Sequence, residues 1–395
     1  MVNILNSSLL LIGFSFSFLL YNRIAFGIIL SLGLITLIFK YKSFLLDELN
    51  KIKDNIKKKD ILFFLLMLLS FSYSSINSIR EDRSLPVLVY LILILFFSAI
   101  LFLVLRKHKS TSNVLFKFLT ISICLNSLII FFYNISNYNF SDQLELIRFK
   151  GYMNILTILV VTNFYLYKSK LNFISIAVLV PNIIMSNCNA AFLGLIVALS
   201  CCLSYFAMKK YFKKTTFFFS ILTFLVVFLI LFAQKLPKDF DQSSINNFEF
   251  VIPTSLIDAH RQFIWGFSIE KFKLKPFFGY GQDTSNFIEG GQIEIGSQYT
   301  GDMNFIPSHP HNFLVELLLE TGIVGTLLFV ILIFTINHKI WKKNPSNFLK
   351  FFLITFNAYF WGASLVNFSF WLGWWQGSYY LILSFIASKT FLKKS

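Results

Sequence analysis

The chain is poor in charge, in acidic residues and in cysteine. Asp, Glu, Lys and Arg make up only 14% of its 395 residues, against 56% hydrophobic, whereas a soluble domain devotes about a quarter of its residues to charge. A soluble globular protein is therefore excluded. The four cysteines, Cys124, Cys188, Cys201 and Cys202, fall in or beside apolar runs without C-x-x-C spacing, so neither a disulfide framework nor a zinc site is expected. Acidic residues are the scarcer sign, 19 against 35 Lys and Arg, leaving a formal charge of +16. In a soluble chain that excess would point to nucleic acid; here the topology accounts for it, and no nucleic-acid partner is expected.

What the sequence holds instead is phenylalanine, 51 in all, and apolar runs long enough to cross about 30 Å of hydrocarbon as helices. About twelve such runs are expected, near 4–20, 24–39, 61–79, 84–105, 114–135, 151–167, 171–187, 189–208, 216–234, 312–336, 348–370 and 377–390. The second is short, and Pro181 interrupts the seventh. With the amino terminus inside, the connections from Lys40 to Asp60, around Arg106, Lys168, Lys209 and Lys339, and at Lys393 gather 24 of the 35 cations on the inner side. That bias orients a bacterial-type membrane protein and suits an anionic inner leaflet of membrane lipids. Both termini are expected in the cytoplasm, and the first run, lacking a charged n-region and an A-x-A-like site, is expected to stay as a helix. The fold class expected is all-α and polytopic, in three parts: a bundle over 1–234, an outer loop over 235–311 and further spans over 312–395.

The loop from Lys235 to His311 runs 77 residues without a span and carries six Lys and Arg against nine Asp and Glu. A connection of that length is usually functional. Within it, Asp258 to Lys275 reads as an amphipathic helix stopped by Pro276, with Arg261, Trp265, Ile269 and Phe272 on one face. Such a helix lies on the membrane surface or caps the bundle, and Arg261 either meets a specific anion or snorkels to headgroups. Gly279 and Gly281 in Phe277-Phe278-Gly279-Tyr280-Gly281 mark a tight turn or a close backbone approach.

The loop ends in Ser308-His309-Pro310-His311-Asn312 and runs straight into an apolar helix. Asn312 or Ser308 can cap that helix, and the positive end of its dipole favours a neutral imidazole, the form a general base needs. Glu316 and Glu320 follow one turn apart on one face. Carboxylates in a spanning helix face the protein interior and are candidates for function; the alternative is a structural pairing. Two histidines without a third ligand nearby make a weak metal set, so no metal is expected. His108 and His338 lie beside inner-side cations as loop residues, and His260 neighbours Arg261. Arg148, at the mouth of the sixth span, needs a partner on the outer side: a pyrophosphate suits its fork of donors, as does a salt bridge to Asp142 or Glu145.

Taken in order, Arg261-Gln262-Phe263-Ile264-Trp265, Lys275-Pro276-Phe277-Phe278-Gly279-Tyr280-Gly281, and His309-Pro310-His311-Asn312 followed by Glu316, Glu320, Gly322 and Gly325 resemble the O-antigen ligase and oligosaccharide-repeat polymerase family of bacterial envelope enzymes. The resemblance implies a glycosyltransferase-C-like, metal-independent and cofactor-free membrane enzyme of the inner membrane. Its donor would be a glycan on undecaprenyl pyrophosphate, presented at the outer face, and its acceptor a lipid A-core or other glycan hydroxyl. By position Arg148 and Arg261 would hold the pyrophosphate, Gly279, Gly281, Glu316 and Glu320 would line the substrate site, and His311, with His309 as the alternative, would be the base. The stretch Ser186-Asn187-Cys188-Asn189-Ala190-Ala191 departs from the family, which often has a Ser-Arg-Gly-like patch there, so one expected cation is missing. A ligase is favoured over a polymerase, which shares the donor. A lipid-linked oligosaccharide flippase would place its polar residues near the bilayer midplane instead.

Overall fold

The computed structural model describes residues 4–55, 58–137, 149–208, 231–255, 257–296, 303–343, 346–366 and 368–391. Among them the fold is all-α, apart from an isolated antiparallel bridge between Glu294 and Asn304. The first ten helices are α1 (Ile4–Leu19), α2 (Arg23–Lys40), α3 (Lys42–Asn55), α4 (Lys58–Ile76), α5 (Glu81–Lys107), α6 (Lys109–Asn137), α7 (Lys150–Leu166), α8 (Lys170–Ala177), α9 (Leu179–Met185) and α10 (Asn189–Met208). The long loop adds α11 (Gln242–Asn246) and α12 (Ala259–Leu274), and α13 (Phe313–Lys343), α14 (Asn347–Ser364) and α15 (Gly373–Thr390) complete the chain.

Helices α2, α5, α6, α10 and α13 are each long and apolar enough to cross a membrane, and α1, α4 and the α8–α9 pair are shorter apolar helices. This is a multi-pass membrane protein. Several elements differ from the sequence expectation. The segment after Lys40 is not a loop but α3, a polar helix. The seventh run is two short helices that break at Val178, because Pro181 has no N–H to continue the ladder. The run expected near 216–234 lies outside the described residues up to position 230. The late expected span near 348–370 ends at Ser364, and α15 begins at Gly373.

Helix contacts are close where one partner is small. An added Cβ on Gly194 would lie 3.0 Å from the Tyr359 ring, and one on Gly362 would lie 2.9 Å from Val197, so α10 and α14 cross nearly backbone to backbone. Aromatic side chains fill the space around α14 and α15: Phe360 stacks on Trp375 at 4.4 Å and meets the tilted Tyr379 ring at 4.6 Å. A second, separate core lies in the long loop, where Phe263, Ile264, Trp265 and Phe267 of α12 pack with Leu236, Ile295, Phe305 and Leu319. All seven residues from Gln262 to Ser268 are buried. Helix α12 is therefore enclosed over its middle two turns, while its carboxy-terminal end, at Lys273 and Leu274, is exposed.

The turn between α4 and α5 is fastened to the loop. Ile79 N donates to Tyr280 O at 3.0 Å, Ser84 Oγ to Gln282 O at 2.7 Å and Gln282 Nε2 to Phe71 O at 2.9 Å. Gly281 sits at φ 104°, and a Cβ there would lie 2.0 Å from Ser78 Oγ and 2.9 Å from its Cα. Both the backbone conformation and the space require glycine. Gly281→Ala is expected to lower stability by about 2 kcal/mol or more, and Gly290→Ala, which has the same backbone hand but meets nothing closer than 3.4 Å, by less. Thermal unfolding of the two full-length variants in detergent checks this; equal midpoints would contradict it.

Candidate functional site

Helix α13 is broken near its start. Gly322 has φ 64° and ψ −175°, so the hydrogen-bond ladder is interrupted where an apolar helix has no water to replace it. The segment Pro276 to Gly281 takes over the freed groups. Tyr280 N and Gly281 N donate to the carbonyls of Leu319 and Glu320 at 3.1 and 2.9 Å, while Ile323 N and Val324 N donate to the carbonyls of Pro276 and Phe277 at 2.8 and 3.2 Å. Ser74 Oγ of α4 also reaches Glu320 O, at 2.8 Å. The contact is backbone against backbone: a Cβ on Gly279 would lie 2.4 Å from Glu320 C and one on Gly322 2.2 Å from Phe277 C.

Glu320 lies fully inside this junction, 1% exposed. Its Oε2 accepts from Asp283 N at 2.7 Å and its Oε1 from Thr284 N at 3.0 Å and Ser285 N at 2.8 Å. The Ser285 hydroxyl and the Trp371 indole N–H complete the set. Asp283 adopts φ 57°, which turns three successive N–H groups toward one point and makes an anion nest. One turn earlier Glu316 accepts from Ser369 Oγ at 2.5 Å and from Phe370 N at 2.7 Å. The two carboxylates thus tie the 283–285 loop and the 369–371 turn to α13. Burial pushes the Asp283 carboxyl above its usual range, and the Arg83 guanidinium 3.3 Å away draws it back.

Immediately before α13, His309 and His311 face each other with ring centroids 4.1 Å apart. His309 Nδ1 shares a hydrogen with Ser308 Oγ at 2.9 Å. His311 sits in the left-handed region at φ 56°, an uncommon conformation for a side chain with a Cβ and one that clusters at functional sites. Asn312 next to it is the cap: its Oδ1 accepts from Leu314 N at 3.0 Å and Val315 N at 3.3 Å. Pro310 O accepts from Trp265 Nε1 at 2.7 Å, so α12 holds the histidine segment from above. Among the described residues no group of three His, Cys, Asp or Glu stands close enough to hold a metal.

Residues 173–330, which span α8 to the middle of α13, match the sequence model of the family described as O-antigen ligase. Over that segment the chain is similar to the O-antigen ligase family. Proteins of Rickettsia conorii and Rickettsia prowazekii are each 30% identical to it, over 172 and 171 residues, 42% of this chain and 40% and 41% of theirs. One from Rickettsia felis is 31% identical over 160 residues, 40% of this chain and 37% of its own. All three bear the description "Putative polysaccharide ligase". The chain spans about two fifths of the length of these curated relatives.

Within this ligase-family segment the structure brings together some of the expected residues and separates others. His309 and His311 are adjacent, and Arg261 lies one helical turn before Trp265, the residue that grips Pro310. Arg261 is half-buried and pairs with Asp258 at 3.2 Å; His260 is engaged by Asn304 O at 2.9 Å. Arg148 lies outside the described residues. Gly279, Gly281, Glu316 and Glu320, expected to line a substrate site, are taken up by protein: the glycines by backbone contact and the carboxylates by protein donors. Sequence reasoning missed Ser285, Ser369 and Trp371, whose side chains donate to the two glutamates, and Gln282, which ties the loop to α4. It also missed Arg80 and Arg83, which lie over the Phe287 ring at 4.5 and 4.9 Å. Their only signal was position, cations on a connection where the charge bias disfavours them.

Removing the Glu320 carboxylate leaves its donors buried and unmatched, at about 1–3 kcal/mol each, whereas Glu316 has two donors. Glu320→Ala is expected to destabilise the protein more than Glu316→Ala, with Glu320→Gln intermediate, because its amide oxygen still accepts. Unfolding midpoints and yields of folded protein from membranes check the order; an equal or reversed order would contradict it.

Proposed function

We propose that the chain is a metal-independent O-antigen ligase-type glycosyltransferase. It moves a polysaccharide from undecaprenyl pyrophosphate to a hydroxyl of a lipid A-core or other glycan acceptor. It spans the bacterial inner membrane with about twelve helices, both termini cytoplasmic and the 235–311 loop at the outer face, between an amino-terminal bundle over 1–234 and the spans of 312–395. The observation that carries this reading is the pair of imidazoles at the head of a membrane helix, with His311 held in a left-handed conformation between the Trp265–Pro310 bond and the Asn312 cap.

The donor supplies its own activation, so the protein has to position two substrates, accept one proton and stabilise the departing charge. The acceptor oxygen attacks the anomeric carbon while the bond from that carbon to the pyrophosphate oxygen breaks and its electron pair leaves with the pyrophosphate. The hydroxyl proton passes to the imidazole of His311, with His309 as the alternative base. Asn312 caps α13 directly after His311, so the ring stands at the positive end of that helix. Arg261 receives the pyrophosphate through its planar fork. Its pairing with Asp258 is more than a third exposed and is weak enough in water to yield to a stronger anion. Arg148 is the second arginine proposed for the clamp. The description of the relatives as polysaccharide ligases supports a ligase over the polymerase alternative, and gives no support to a flippase.

The test is the lipopolysaccharide ladder and lipid-linked glycan pool of a strain carrying His311→Ala, with the variant's presence in the membrane verified. General-base loss lowers transfer by about 10²-fold or more, so the expected result is core without O-chain and long polymer retained on the lipid carrier. Core bearing a single repeat unit would assign the polymerase reaction instead. A normal ladder would overturn the assignment of His311.

A further inference from the structure

A groove lined by none of the residues proposed for transfer runs between α2, α5 and α15. It encloses ≈ 400 Å³ and is lined by apolar side chains including Phe26, Leu30, Leu34, Ile94 and Phe97. Absent side chains make the space. A Cβ added to Gly27 would meet nothing within 4 Å, and at Gly373 and Gly377 the nearest atoms, on Tyr90 and Ile94, are 3.7 and 3.9 Å away. The rim is the apolar outside of the bundle, where Ile24, Ile28, Leu93 and Phe96 are exposed.

One cation marks the mouth. Arg23 is the first residue of α2, after the Asn22 cap, and its guanidinium carbon lies 5.0 Å from the centre of the Trp374 ring. No carboxylate pairs with it among the described residues. The amino end of α2 adds its dipole in the same direction. From Arg23 to Leu34 the groove follows α2 for about 16 Å, close to half of the roughly 30 Å hydrocarbon core. That is the depth of one leaflet.

We infer that this groove holds one acyl chain of an anionic phospholipid, with the phosphate on Arg23. A single cation matches a single phosphate, and one leaflet's depth matches an acyl chain that ends at the bilayer midplane. A polyprenyl chain of many isoprene units would run past the end of the groove. The seated lipid also bears on the site. The Tyr90 hydroxyl on the groove wall donates to Trp371 O, and the Trp371 indole donates to Glu320, so the lipid supports the turn that the buried carboxylates hold. The inference requires that these helices lie in a membrane and does not depend on the transfer reaction.

The test is native mass spectrometry of the full-length protein, delipidated in detergent and titrated with dioleoyl-phosphatidylglycerol or dioleoyl-phosphatidylcholine. The wild type is expected to retain one phosphatidylglycerol at about tenfold lower concentration than phosphatidylcholine. Arg23→Gln should erase that preference, and Gly27→Leu, which fills the groove, should lose the retained lipid with an unchanged unfolding midpoint in lipid-free detergent. If Gly27→Leu does not fold, Ser31→Leu on the same wall tests the same space. Equal retention of the two lipids by the wild type, or a preference that survives Arg23→Gln, would overturn the inference and leave only annular lipid. Displacement of phosphatidylglycerol by equimolar undecaprenyl phosphate would also overturn it, by assigning the groove to a polyprenyl carrier.

Discussion

The structure turns on one buried carboxylate at a break in a membrane helix. An interrupted helix exposes unpaired backbone groups where no water can reach them, a cost of several kcal/mol for each group. In this chain the Pro276–Gly281 backbone pairs with both sides of the break at Gly322, and the Glu320 carboxylate, two residues before it, gathers the N–H groups of Asp283, Thr284 and Ser285. The break, the loop and the carboxylate require one another. Glu320 without the 283–285 nest would be a buried charge without donors, and the nest without Glu320 would be three buried N–H groups without an acceptor.

What this junction achieves is placement. A 77-residue connection closes on itself at a loop-entropy cost, yet the histidine segment at its end is held in one geometry. Three attachments fix it: the 276–285 segment on α13 and α4, the Trp371 indole on Glu320, and the Trp265 indole on Pro310. The last two each bring an indole with a single N–H donor, where a rigid ring and one directed bond give precise positioning at little cost in side-chain entropy. His311 then stands in a strained conformation that the surrounding attachments can hold.

Much of this was legible in the sequence, and the parts that were not share a cause. Apolar runs marked the helices because hydrocarbon leaves the backbone few choices, and Asn312 announced its capping role by residue type and place. The amphipathic segment Asp258 to Lys275 was legible as a helix, but the enclosure of its middle from Gln262 to Ser268 was not. Its environment depends on aromatic residues far away in the chain, such as Phe232, Phe240 and Phe305. Glu316 and Glu320 stood out as costly carboxylates, which is a correct reading of their energetics, while their donors, Ser369, Phe370 and Trp371 on one side and Asp283 to Ser285 on the other, carry no local signature. A residue type advertises that it needs partners; the partners themselves are fixed only by tertiary contact. The glycines behave the same way, since Gly279 and Gly281 announce a close approach without naming what approaches.

The most direct measurement is hydrogen–deuterium exchange of the full-length protein and its Glu320→Gln variant under identical membrane-mimetic conditions. If Glu320 is the clamp on which the loop depends, peptides covering 281–287 and 369–372 will exchange markedly faster in the variant, with the change reaching the 308–312 histidine segment and leaving α1, α2 and α10 unaltered. Unchanged exchange in 281–287 would contradict the account, because the three N–H groups would then owe their protection to something other than this carboxylate.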